Sequence, residues 1–258
     1  MKTEVLYSDI IGIGVVLCLA LASGCSQKQQ PKTATEYLKL GDQQLNRRNE
    51  RQARTYYQQL LEQFPDSEQK PLAQYNIAES LYREKNYLEA RFEYQKFLEL
   101  YPTNRLASRA QFQLGMCSFQ EVRTIDRDQR NTHNALRAFR QFRRQYPQDP
   151  LMPEAEQHIR FLRLHLAQHE FMVAQFYYKK GADQAAIGRL LNLIQVYPNM
   201  PKIDAALFML ADSYRREENY IKAQRVLHLL IDHFPTSAYL SRARAQLRKM
   251  PTTGIVLQ

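Results

Sequence analysis

The sequence predicts an all-α chain built as an α-solenoid, a stack of about five helix–turn–helix units closed by a C-terminal capping helix. Three observations lead there. Across 205–235, Ala211 and Ala223 let two short helices approach closely, Tyr214 falls in the same frame, and Leu227 and Leu230 fill the seam between the helices. Pro235 ends the unit, because its ring and missing N–H stop a helix. The same frame recurs upstream. Counting back from Pro65 gives Gly41, Ala53, Tyr57 and Leu60; from Pro102, Ala78, Ala90, Tyr94 and Phe97. Pro147 gives Ala135, Phe139 and Phe142, and Pro198 gives Ala174, Ala186, Leu190 and Leu193. Each proline follows an aromatic: Phe64, Tyr101, Tyr146, Tyr197 or Phe234. Finally, with 8 glycines and no period-2 apolar runs the chain does not read as a sheet protein.

The spacing resembles the tetratricopeptide repeat, a helix–turn–helix of about 34 residues that buries its apolar face only by stacking on copies of itself. It places repeats at about 35–65, 66–102, 104–147, 151–198 and 201–235, inside a domain of 35–250 with a tail at 251–258. The segment before them is different. Ile10–Ala22 is an apolar run too short to span a bilayer and suited to a signal-peptide core. Leu21-Ala22-Ser23-Gly24-Cys25 resembles the bacterial lipobox. That resemblance implies a signal peptide over 1–24, cleavage before Cys25 and a covalent lipid on its thiol, with no other cofactor. Residues 25–34 are polar and read as a lipidated tether. Within the same resemblance, Ser26 after the cysteine implies sorting to the outer membrane.

Charge narrows the partners. The 36 basic and 26 acidic side chains give +10; cleavage at Cys25 would remove Lys2, Glu4 and Asp9 and leave 35 against 24. Such a balance favours anionic lipid or an acidic protein face, and export argues against nucleic acid. Of 3 cysteines, Cys18 would leave with the leader and Cys25 would carry lipid. Cys117, inside FQLGMCSF, reads as a small buried hydrophobe.

In the first repeat the helices meet near Asn46–Asn49, and in the second at Lys85-Asn86-Tyr87. This half is rich in tyrosine. Tyr57 and Tyr94 fill seams, whereas Tyr37, Tyr56 and Tyr75 are candidates to line a concave groove that stacks on an extended peptide. The third repeat is broken: the stretch from Gly115 to Ala135 is longer than its counterparts, such as Gly41 to Ala53 or Ala211 to Ala223. The extra residues fall near Val122–Thr132, a charged insertion of the kind that collects on one face of a solenoid. Arg137, Arg140 and Arg144 follow at helical spacing as a basic ridge, with Phe139 and Phe142 turned inward. The fourth repeat opens on a long helix over Pro153–Lys180, ended by Gly181 and about 40 Å long. His158, His165 and His169 share one of its faces; the pair at i, i+4 lacks the glutamate of a metalloprotease helix, so a polar face is expected and no metal. The fifth repeat is near consensus, and Ser237–Met250 is expected to cap the stack.

No Walker A loop, GxGxxG, GxSxG or paired CxxC is present, and the acids are scattered. The chain reads as no enzyme. Lipobox, five repeats, a long insertion in the third and a bridging helix together resemble the BamD family, lipoproteins of the β-barrel assembly machinery. The resemblance is most specific over LRLHLAQHEFMVAQFYYKKGADQAAIGRLLNLIQVYP, residues 162–198. There Ala167, Glu170, Val173, Ala174, Tyr177, Tyr178, Gly181, Ala185, Arg189 and Pro198 match the family frame. It implies a scaffold anchored by lipid on the periplasmic face of the outer membrane, whose C-terminal repeats dock on the last POTRA domain of BamA, alongside other Bam lipoproteins. Its N-terminal repeats would receive the C-terminal signal of unfolded outer-membrane proteins. The family's partner-facing arginine falls on Arg189, which would pair with a carboxylate of BamA. Two alternatives share the lipobox and repeats but not the 162–198 frame. One is a pilotin-like lipoprotein escorting secretin subunits, and the other a cell-wall scaffold.

Overall fold

The computed structural model describes residues 33–251. Among them the chain forms eleven helices and no strand, each helix packed on the next. They are α1 (Ala34–Asn46), α2 (Glu50–Gln63), α3 (Lys70–Arg83), α4 (Tyr87–Leu100), α5 (Ala107–Gln120), α6 (Arg130–Gln145), α7 (Met152–Lys179), α8 (Asp183–Val196), α9 (Ile203–Arg216), α10 (Tyr220–His233) and α11 (Leu240–Lys249). This is the all-α repeat stack that the spacing predicts. The Ala, Leu, Tyr and Phe of the repeat frame, from Ala53 to Leu230, are 0% exposed in every pair, apart from Tyr214 at 8%. Gly41 and Gly115 take the place of alanine where a first helix meets an aromatic. A Cβ on Gly41 would run into the Tyr57 ring, and one on Gly115 would stand 2.9 Å from Phe139.

The repeat prolines set the turns between pairs. The residue before a proline is pushed out of the α region. Accordingly Phe64, Tyr101, Tyr146, Tyr197 and Phe234 each adopt φ near −130°. Each still donates its N–H to the carbonyl four residues back, so the last turn stays closed. Within the pairs a second device recurs. Arg48, Lys85, Gly181 and Glu218 all have positive φ, and each stands at one and the same offset before its repeat proline. Only one of the four is the glycine this conformation favours.

The third pair departs from the rule: residues 121–129 join α5 to α6 as a longer loop. Helix α7, with 28 residues, spans about 42 Å at 1.5 Å per residue. Its Ala155, Ile159, Leu162 and Leu166 belong to the third pair's core, and its Ala167, Phe171 and Ala174 to the core of the last two pairs. At the first end, Thr33 and Glu36 exchange side-chain-to-backbone hydrogen bonds as a capping box. At the other end the final helix starts at Leu240, not Ser237. The Ser237 hydroxyl donates to Asp204 (2.7 Å) and accepts the Tyr239 N–H, which holds a turn there.

Candidate functional site

The first helices of successive pairs are joined by a polar row. Asp42, Glu79 and Asp212 each stand one residue after the small residue of the frame. The Tyr57 hydroxyl donates to Asp42 (2.7 Å), and so does the amide of Asn76 on the next first helix (3.0 Å). In the second pair the Tyr94 hydroxyl donates to Glu79 (3.0 Å), whose carboxylate also meets Arg83 at 3.1 Å. Burial first, then the neighbouring carboxylates, push both phenols up, so they stay protonated donors. The repeat spacing alone assigns these acids no role, although a signal is present: Asp42 and Glu79 precede their seam tyrosines by the same offset.

Asp212 is the densest node. It accepts from Arg215 (2.8 Å), Tyr178 (2.9 Å) and Gln246 (2.9 Å), and Arg216 pairs with it at 2.8 Å. Arg216 also lies 4.5 Å over the Tyr178 ring and 3.5 Å from Asp183. Burial pushes the Asp212 carboxyl up, but the Arg215 and Tyr178 hydrogen bonds and the two guanidinium charges outweigh it and hold it below the usual range.

Of the three tyrosines with a peptide-binding expectation, Tyr37 is 1% and Tyr75 5% exposed. Tyr37 donates to Gln63 (2.9 Å), and Tyr75 packs edge-on against Tyr94 and Phe97. Tyr56 is half-buried at the side of the first core and keeps a face on solvent. Arg189 lies on α8 with its side chain 49% exposed, 3.4 Å from Glu170 of α7. A Cβ built on the neighbouring Gly188 would touch nothing, so the surface beside Arg189 is open. Cys25 lies outside the described residues.

The three histidines of α7 are used for packing. His158 stacks on Phe139 at 4.9 Å, and burial lowers its pKa. His169 donates to the carbonyl of Ile125 in the 121–129 loop (2.5 Å), and His165 stacks on Phe161 with ring centroids 5.9 Å apart. The charged insertion is therefore strapped to α7 by the His169 imidazole. Among the described residues no cluster of His, Cys, Asp and Glu could hold a metal ion. Burial pushes the Cys117 thiol up to about 12, far from a reactive thiolate at neutral pH. No described helix is long and apolar enough to cross a membrane.

Comparison with known families matches residues 30–220 to an outer membrane lipoprotein family, YfiO, and residues 205–237 to the tetratricopeptide repeat. Curated relatives carry the name outer membrane protein assembly factor BamD. The one from Rickettsia prowazekii is 26% identical over 94% of this chain and 96% of its own length. The Neisseria gonorrhoeae relative is 24% identical over 90% and 92%. A Caulobacter vibrioides relative is 31% identical over a shorter stretch, 38% of this chain and 32% of its own length. The chain thus spans about a third of the length of that relative.

Proposed function

The chain belongs to the YfiO outer membrane lipoprotein family, and from that premise we propose that it is a non-enzymatic scaffold of outer-membrane β-barrel assembly. The observation that carries the reading is the family match over 30–220 together with relatives named as assembly factors that align nearly end to end. In this reading Cys25 carries the lipid that holds the chain on the periplasmic face of the outer membrane. The C-terminal repeats dock on the POTRA region of a BamA-type barrel protein, with other Bam lipoproteins nearby. Arg189 supports that role by its place: half-exposed on α8, it makes one contact with Glu170 and has further donors for a partner carboxylate. Unfolded outer-membrane proteins are received by the N-terminal repeats. Of the nominated tyrosines there, Tyr56 has the surface to touch a client, whereas Tyr37 and Tyr75 support the wall from inside.

The test is gentle detergent extraction of the tagged chain and mass spectrometry of what co-purifies. A stoichiometric POTRA-containing barrel protein is expected, and Arg189→Glu should reduce its recovery at least tenfold while circular dichroism stays unchanged. Undiminished recovery would remove Arg189 from the interface. A secretin in place of the barrel protein would overturn the reading in favour of a secretin escort.

A further inference from the structure

Between α7 and the turn that follows α8 lies a recess of about 370 Å³, lined in part by Arg160, Arg163, Leu164, Tyr197, Asn199 and Met200. Its lining holds two arginines and no acid. The Arg163 guanidinium lies 5.9 Å over the Tyr197 ring and donates to the carbonyl of Val196 (3.3 Å). Arg140 of α6, half-buried and outside the lining itself, is close enough to feel the charges of Arg163 and Arg143. Burial and the two like charges lower its pKa, which means that its charge is poorly compensated within the chain. The nearby acids are already engaged, Glu156 by Arg143 (3.3 Å) and Glu170 by Arg189. Among the described residues Arg140, Arg160 and Arg163 have no carboxylate partner.

We propose that this recess between the third and fourth pairs binds a partner polypeptide through a carboxylate flanked by an apolar side chain. A guanidinium fork matches a carboxylate in two parallel hydrogen bonds, and two forks lining one recess, with a third guanidinium nearby, favour an anion over any neutral group. Leu164, Tyr197 and Met200 supply the apolar wall beside the charge. The volume, at the small end of ligand sites, suits one side chain with its acid group. A bilayer presents its phosphates on a broad surface that does not enter such a recess. A polypeptide offers the carboxylate from two sources, a chain terminus or an Asp or Glu side chain. The inference does not depend on the assembly reading.

The test is fluorescence anisotropy of the purified full chain with three fluorescein-labelled peptides. One is Gly-Ser-Gly-Ser-Gly-Leu with a free C-terminal carboxylate. The second is amidated Gly-Ser-Gly-Glu-Leu-Ser, and the third the same with Gln for Glu. At least one carboxylate peptide is expected to bind, which one identifying the source, with the Gln peptide at least tenfold weaker. The double variant Arg140→Gln, Arg163→Gln should lose at least tenfold in affinity with an equal or higher melting temperature, since it removes like charges. Arg163→Lys, which keeps the charge but not the fork, should lose several-fold and covers a double variant that fails to fold. No binding by either carboxylate peptide, equal binding by the Gln peptide, or wild-type affinity in the variants would each overturn the proposal. So would Arg163-dependent pelleting with phosphatidylglycerol vesicles in the absence of peptide binding.

Discussion

The first two repeats and the last two solve the same packing problem with different chemistry. At the same seam position the early repeats carry Tyr57 and Tyr94, and the late ones Leu190 and Leu227. All four side chains are fully buried. The tyrosines are tolerated because Asp42 and Glu79 wait at hydrogen-bond distance, one helix away. In the last pair the leucine frees the equivalent acid, Asp212, to gather Tyr178, Arg215, Arg216 and Gln246 from three helices. One backbone frame thus accepts a polar or an apolar seam, provided that each buried polar group finds its partner. The difference also moves the weak point: in the early repeats it is the seam, and in the last the acid beside it.

The largest expected effect follows from that last point. Asp212→Ala leaves two guanidinium groups and a phenol without their acceptor and should cost about 3 kcal/mol, read from urea unfolding. Its pH dependence has a definite sign. The carboxyl is held below its usual range when folded, so its contribution is complete above about pH 4 and fades as pH falls through the folded value. The gap between wild type and Asp212→Asn should therefore close on acidification; a constant gap would break the comparison.

Next comes Gly41→Ala, whose new methyl meets the Tyr57 ring and should cost about 1–3 kcal/mol. Gly188→Ala, on an open helix surface, should instead stabilise by roughly 0.5–1 kcal/mol. Equal effects from the two glycines would show that the Tyr57 seam is looser than its burial implies. Tyr94→Phe should cost about 1–2 kcal/mol, because Glu79 loses a donor within the stack. A leucine seam offers no such loss, so Leu227→Met, a volume-conserving swap, should cost under about 1.5 kcal/mol. The smallest effect is expected at the turns, where Glu218→Gly should relieve about 1 kcal/mol of left-handed strain in a thermal melt.

Much of this was legible in the chain itself. The prolines and the small residues of the frame define every helix pair, because backbone geometry leaves few substitutes at those positions. The left-handed turn residues were not legible: Arg48, Lys85 and Glu218 occupy a glycine-favouring conformation without being glycine, and the surrounding helices hold them there. Tyr37 and Tyr75 show a related limit. An aromatic at helical spacing fits a groove or a core equally well, and burial alone separates the two. His169 of α7 likewise carried no sign of its role, since its partner is a backbone carbonyl of the insertion, which any residue could supply.

The length of α7 bears on how the molecule comes apart. In a solenoid each unit touches only its neighbours, so unfolding can start at either end and stop between units. Here one rigid rod contributes its first half to one core and its second half to the next, and so removes the stopping place. Melting of the third pair should therefore drag the fourth with it, and amide exchange across both should share a single opening free energy. The same rod makes a lever: a rotation imposed on the last pairs by whatever holds them would reach the third pair, and the insertion strapped to α7, with little loss along the way.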